Sequence, residues 1–367
     1  MKRPETRQTD DRLRRSYFFF AGRRRLIAIL SIVVVIALWL VLRPSTSVED
    51  ELAAIDAAHA IPPGENAAED YAALVLDATT PPPDPLLLSK EVRALTLTKP
   101  WRSADLPEAA RWVEDHRAII ESLQQAARKP KCWFPVSDTE RPTAKYFTME
   151  YQGAMLLLRA ANSDLGEGRI EAAMEKLVSV CQMAKHLHSQ AHPSERSTGW
   201  AVGEEAMKRF GWVVVTQDIP DDWLTKLEAT LPSIEDTWAE ECRQWDRITS
   251  LYVRKRNRAR GRLLYILGRT IAPGRAATRH MYNTYLAESR AGRILLALRR
   301  HKDTAGTWPV ALSEIERDLP RDAFIDPVSR KRFIYRPTGD TFVLYAVGPN
   351  AADEGGTSGD DQLFWPR

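Results

Sequence analysis

The stretch AANSDLGEGRIEAAMEKLVSVCQMA, residues 160–184, reads as two helices meeting at a tight turn. Apolar residues recur at helical spacing on both sides of LGEGR, and the two glycines supply the reversal. The spacing predicts one helix from about Lys145 to Asp164 and another from about Ile170 to His188, packed as an antiparallel hairpin. Its small residues and glycines are placed as in a tetratricopeptide-like hairpin. No second copy follows at a 34-residue period, so it is one hairpin and not an array.

Working outward, the pattern stays helical. Upstream, DLPEAARWVEDHRAIIESLQQAARK (residues 105–129) repeats Trp112, His116, Ile119, Leu123 and Ala127 on one face, and KPKCWFP ends it. Downstream come TGWAVGEEAMKRFGWVVV, PDDWLTKLEATL, a long helix from Ser233 to Arg269, and another from about Arg275 to Lys302. The period changes to two only near the end, where RFIYR, TFVLYAV and QLFW are short and rich in aromatic and β-branched residues. The expected architecture is mainly α, a helical body with a small α+β cap carrying a short antiparallel sheet. Helices should fill residues 105–302 and strands should be confined to about 332–365.

At the other end, LIAILSIVVVIALWLVL, Leu26 to Leu42, is a seventeen-residue apolar run broken only by Ser31. At 1.5 Å per residue it spans roughly 25 Å, and Arg23 to Arg25 and Arg43 can snorkel to reach the interfaces. Residues 1–25 hold nine Lys/Arg against three acids, so the basic balance of the chain belongs to this tail and the remainder is net acidic. The positive-inside rule then predicts a single-pass anchor in the cell inner membrane, N-terminus cytoplasmic and residues 44–367 outside. A cleaved signal peptide is the competing reading, with a shorter apolar core as its usual form. The layout follows as a tail (1–25), a transmembrane helix (26–42), a stalk with the Pro-rich linker TTPPPDP (43–85), the body (86–285) and the cap (286–367). The stalk contains two predicted helices, SVEDELAAIDAAHA with a Ser cap, and NAAEDYAALVLDA.

Cys132, Cys181 and Cys242 are too few and too scattered for a disulfide framework. Cys181, inside LVSVCQMA, reads as a small core residue.

Three constellations carry possible chemistry. In KHLHSQAHPSE, His188 and His192 stand four apart with Glu195 beyond Pro193. That spacing on one helical face can hold zinc, although the general-base Glu of an HExxH motif is missing. In VRKRNRARGR, Arg254, Arg258 and Arg262 share a helical face with Lys255 beside them, a stripe suited to an anionic partner. Outside the cytoplasm that partner is an anionic polymer, a lipid head group or an acidic protein, and not nucleic acid. In the tail, the loop between TFVLYAV and QLFW crowds Asn350, Asp353, Glu354, Asp360 and Asp361 together, where like charges repel.

From Gly292 the order of Trp308-Pro309, Leu312, Asp326-Pro327, Tyr335, Leu344-Tyr345, Gly348, Gly355-Gly356, Asp361 and Trp365 resembles the C-terminal half of the type II secretion major pseudopilins. The resemblance covers residues 290–367. It implies a helix leading into a small sheet, and calcium held by the loop, here through Asn350, Asp353, Asp360 and Asp361. Pseudopilins also carry a peptidase site before their apolar helix and a Glu within it. Here Gly22 is followed by Arg23, and Leu26 to Leu42 contains no acid, so pilus assembly is not implied. The whole chain resembles membrane-anchored proteins of planctomycete-type bacteria, with their "ENAA…Y" start (Glu65 to Ala68, Tyr71), helical middle and pseudopilin-like end. That likeness implies location and layout, and no activity.

Two functions from different classes are compatible with these residues. One is a non-catalytic, membrane-anchored extracytoplasmic interaction protein associated with an envelope or secretion assembly. The other is an extracytoplasmic metal-dependent envelope hydrolase built on His188, His192 and Glu195.

Overall fold

The computed structural model describes residues 47–77, 83–138, 143–256, 274–350, 352–356 and 360–366. The apolar run Leu26 to Leu42 and the basic residues Arg258 and Arg262 lie outside them. Among the described residues no helix is long and apolar enough to cross a membrane. The chain divides into residues 1–51 and a second compact unit, residues 52–367.

Eleven α-helices precede a three-stranded sheet among the described residues: α1 (Val48–Ala58), α2 (Ala67–Leu76), α3 (Lys90–Thr98), α4 (Pro107–Asp115), α5 (Arg117–Arg128), α6 (Thr143–Gly166), α7 (Ile170–His188), α8 (Pro193–Thr216), α9 (Asp221–Thr230), α10 (Trp238–Arg256) and α11 (Gly274–Ala305). The strands are β1 (Ile334–Thr338), β2 (Thr341–Ala346) and β3 (Gln362–Trp365), antiparallel in that order. The mainly helical body and the strand positions match the sequence periods.

The expected hairpin is present as α6 and α7, which pack together around the turn of Gly166 to Arg169. Asp164, nearly buried, ties that turn: it accepts from Arg169 Nε at 2.8 Å and from Lys176 Nζ at 2.7 Å. Helix α8 packs against α6, α7 and α11 and is buried on most of its surface, with a half-buried stripe through Glu204, Glu205 and Lys208. A helix enclosed on most sides needs apolar or small residues there, and TGWAVGEEAMKRFGWVVV supplies them, with its charged residues gathered mainly on the half-buried stripe. Gly199 permits the closest approach, since a Cβ there would stand 2.5 Å from the backbone nitrogen of His188.

Upstream, one expected helix is two. The break falls at His116, whose Nδ1 lies 2.7 Å from the Trp112 carbonyl. Its own N–H turns to the Val113 carbonyl three residues back, at 3.2 Å. A side chain competing for the i−4 carbonyl is a recognised way to end a helical ladder. Helix α3 is capped from a distance: Asn162 Nδ2 donates to the Thr96 and Leu97 carbonyls at 2.8 and 2.9 Å, and Arg209 Nη2 donates to the Leu97 carbonyl at 3.0 Å. Those carbonyls have no partner within the helix.

Residues 52–77, expected as part of a separate stalk, belong to the same compact unit as the body. Asp56 Oδ1 accepts from Trp133 Nε1 at 3.0 Å and from the Val136 N–H at 2.8 Å, and its Oδ2 accepts from the Ser137 N–H at 3.0 Å. Asn66 caps α2 through the Ala68 N–H and clasps Trp133, accepting from its N–H at 2.9 Å and donating to its carbonyl at 3.0 Å. Ala67 and Ala68 are buried beneath it, and the Tyr71 hydroxyl donates to His186 Nδ1 at 3.0 Å. The "ENAA…Y" segment is thus a clasp joining three distant parts of the chain.

In the cap, Phe342, Leu344 and Ala346 alternate along one face of β2 and pack with Ala287, Ala291, Ile294, Leu295 and Leu298 of α11. Full burial of each large side chain contributes roughly 1.5–3 kcal/mol. Asp326 sets the approach to β1, accepting from the Val328 and Ser329 N–H groups at 3.1 and 2.7 Å. This is an Asx turn, and it explains the Asp326-Pro327 pair in a chain that must reverse before Phe333.

Candidate functional site

His188 and His192 do not share a helical face. Helix α7 ends at His188, and His192 is the N-cap of α8, where Pro193 takes the first helical position that proline favours. His188 Nε2 lies 3.4 Å from Glu241 Oε1, with its ring against Trp200 and Tyr285. His192 Nδ1 instead meets the Ser194 hydroxyl at 2.6 Å. Glu195 is buried at the start of α8.

The acid facing His188 is therefore Glu241, which the sequence reading did not single out. Its Oε2 accepts from Arg196 Nη1, and Arg196 Nη2 donates to Gln244 Oε1 at 2.6 Å. Burial alone would push the Glu241 carboxyl up, but the His188 hydrogen bond and the Arg196 charge hold it below the ordinary range. An acid already neutralised by a guanidinium is a tie between α7, α8 and α10 more than a metal ligand. Among the described residues, no group of three or more His, Cys, Asp or Glu is placed to hold a metal ion.

A second buried imidazole also went unnoticed. His186, 2% exposed, takes the Tyr71 hydroxyl on Nδ1 and lies 2.9 Å from the Lys129 carbonyl through Nε2. That pairing assigns the proton to Nε2 and leaves the ring neutral. Burial pulls its pKa down to about 4. Its only sequence signal was position, on the inward face of α7 among Met183, Ala184 and Leu187. Cys181, on the same helix, is buried and its thiol is pushed up to about 12, as expected of an inert core residue.

Of the basic stripe, Arg254 and Lys255 lie in the last turn of α10. Tyr252 anchors that end of the helix by donating to the Val136 carbonyl at 3.0 Å.

A cation on a neighbouring strand reaches the acidic loop. Arg336, on β1, donates from Nη2 to Asp353 Oδ2 at 2.9 Å, while Asp353 Oδ1 accepts from the Tyr345 hydroxyl at 2.7 Å and from the Gly355 N–H at 2.9 Å. The Tyr345 hydrogen bond leads the effects that hold the Asp353 carboxyl below its ordinary value. Asp361 Oδ2 accepts from the Glu354 and Gly356 N–H groups at 3.1 and 2.8 Å. Asn350 turns to Glu354, donating at 2.8 Å. Asp360 is exposed, and its carbonyl presses on Gly348, where a Cβ would stand 1.9 Å away and φ is +56°. Only glycine fits that combination.

Calcium needs six to eight oxygens, and the four expected ligands meet that need unevenly. Asp361 Oδ1 is buried with no hydrogen-bond partner among the described residues, which suits a cation. Asp353 suits it less, because Arg336, Tyr345 and Gly355 already use both its oxygens. Chemically, the loop is a carboxylate cluster balanced by hydrogen bonds and one guanidinium. No family model matches the chain, and neither the curated proteins nor the solved structures contain a match.

Proposed function

We propose that this chain is a non-catalytic, membrane-anchored extracytoplasmic interaction protein. Residues 26–42 hold it in the cell inner membrane with the basic tail in the cytoplasm. The body, with its tetratricopeptide-like hairpin, and the pseudopilin-like cap work outside, attached to an envelope or secretion assembly. Arg254, Lys255, Arg258 and Arg262 form the contact for an anionic partner.

One observation carries the reading: the residues shared with pseudopilins act in this cap as structural pins. Trp308 donates to the Asp340 carbonyl at 3.0 Å, Tyr335 to the Pro309 carbonyl at 2.7 Å, and Trp365 to Thr341 Oγ1 at 3.1 Å. Asp326 and Asp361 hold turns in the same way, by accepting from nearby backbone N–H groups. Calcium, in this reading, is held by Asp361 first, with Asn350, Asp353 and Asp360 beside it, and supplies charge that ties the loop to β3. The hydrolase reading requires His188, His192 and Glu195 to converge, whereas the two histidines face different partners.

A photo-crosslinker at Lys255, activated in intact cells, tests the proposal. Discrete adducts with envelope proteins are expected, together with activity of a reporter fused after Arg367 only outside the cytoplasm. Adducts with lipid alone would overturn the interaction role, and a cytosolically active reporter would overturn the topology.

A further inference from the structure

One groove lies apart from every residue considered above. It is a cavity of about 490 Å³ between α9, α11 and the turn at Asp318 and Leu319. Helix α11 lines it with Arg293, Leu296, Ala297, Arg300, His301 and Thr304, spaced by threes and fours and therefore on one face. The size falls within the range of small-molecule sites, which run to roughly 300–1,000 Å³.

The charges in the groove are unevenly matched. Arg300 is paired with Glu228 at 2.8 Å and His301 faces Glu314 at 3.3 Å, while Asp318 stands exposed at the rim. Arg293 has no acid within salt-bridge distance among the described residues. Its Nη2 donates to the Leu231 and Pro232 carbonyls at 3.4 and 3.1 Å, and its Nε is buried without a hydrogen-bond partner. Nη1 has no hydrogen bond among the described residues, yet it is not sealed from solvent.

The carbonyls that Arg293 meets follow the C-terminus of α9, where a helix presents about half a negative charge. Lys185 already answers that charge by donating to the Ala229 carbonyl at 2.8 Å. Glu228 also attracts Arg293, but that carboxylate is paired with Arg300, which leaves Arg293 the arginine of the groove outside any ion pair among the described residues. Beside it the floor is apolar: Leu296 and Ala297 are buried, and Leu319 is half-buried.

The geometry points to a binding site for a small carboxylate with an apolar body, its carboxylate on Arg293 Nη1 and its body along Leu296, Ala297 and Leu319. One guanidinium outside any ion pair among the described residues matches a monoanion. A phosphate dianion would meet Glu228 and Asp318 with its second charge and would leave the apolar floor uncovered. This site stands independently of the membrane and partner reading.

The test uses the full chain in lipid nanodiscs with 4-phenylbutyrate as the probe, 4-phenylbutyramide as its uncharged counterpart, and inorganic phosphate as the bare anion, each titrated by calorimetry. Phenylbutyrate should bind at least about tenfold more tightly than either control, as expected when a charge-assisted hydrogen bond is lost. Arg293→Gln should remove that preference. Because Arg293 also supports the end of α9, Thr304→Trp provides a second variant. Thr304 is exposed, so filling the groove there leaves Arg293 and its carbonyls in place. Binding that persists in Thr304→Trp would overturn the site, and so would equal binding of the amide or equal binding of phosphate.

Discussion

Arg336 Nη2 stands 2.9 Å from Asp353 Oδ2, across the hairpin of β1 and β2 from the acidic loop it neutralises. Both side chains are about half exposed, so solvent screens the pair and its direct contribution to stability is small. On the proposed calcium reading, the pair also occupies an oxygen that the ion would need. Arg336→Gln should therefore lower the melting temperature of the full chain only slightly without calcium and enlarge the stabilisation by millimolar calcium. Asp361→Ala should abolish that stabilisation. Melting curves unmoved by calcium in both the parent chain and Arg336→Gln would remove calcium from the loop.

A second expectation concerns acid. The folded pKa of His186 is about 4, against 6.5 when unfolded, so the unfolded chain binds more protons between those values. Stability should fall as pH drops through that window, by up to about 3 kcal/mol. The depressed carboxylates Asp56 and Glu241 act in the same direction, but they lose their contribution only below their ordinary values of 3.8 and 4.5. Urea denaturation at pH 7 and pH 5 checks this, and His186→Gln should flatten the difference.

The clasp at Asn66 supplies a third. Asn66→Ala removes a helix cap and two hydrogen bonds to the Trp133 backbone together, which should cost about 2–3 kcal/mol. Denaturant midpoints of the two chains decide it. A loss below about 0.5 kcal/mol, the range of an ordinary surface substitution, would mean that the clasp is dispensable.

The fourth is steric. In Gly199→Ala the new methyl group would meet backbone atoms at the end of α7, and backbone cannot rotate away as a side chain can. The expected cost is about 1–3 kcal/mol. Gly168→Ala provides the contrast, because no atom lies within 4 Å of its Cβ and only its left-handed φ of +76° opposes the change.

Much of this fold was legible because it rests on local periods. The hairpin of α6 and α7, the long α11 and the three strands follow from spacing that any short window of sequence contains. The break at His116 was hidden, since Trp112 and Ile119 keep the helical rhythm while a side-chain contact with one carbonyl interrupts the ladder. The separation of His188 from His192 had a visible cause in Pro193, but the four-residue spacing concealed it. Least legible were the pairings between distant residues. Nothing near Asp353 points to Arg336, seventeen residues earlier on another strand, and nothing near His188 points to Glu241. Those partners meet only through packing, which depends on the whole chain at once.

The clasp of Asn66 and Tyr71 also orders events during synthesis. Residues 52–77 leave the ribosome well before their partners, since Trp133 lies 67 residues beyond Asn66 and His186 115 residues beyond Tyr71. At about 5–20 residues per second, Tyr71 waits roughly 6–23 s for its partner to be made. For that interval Ala67, Ala68, Tyr71 and Val75 present an uncovered apolar face at the very start of the growing domain. Helix α2 must therefore wait for its partners to be made, and an attendant that shields nascent chains would meet it there.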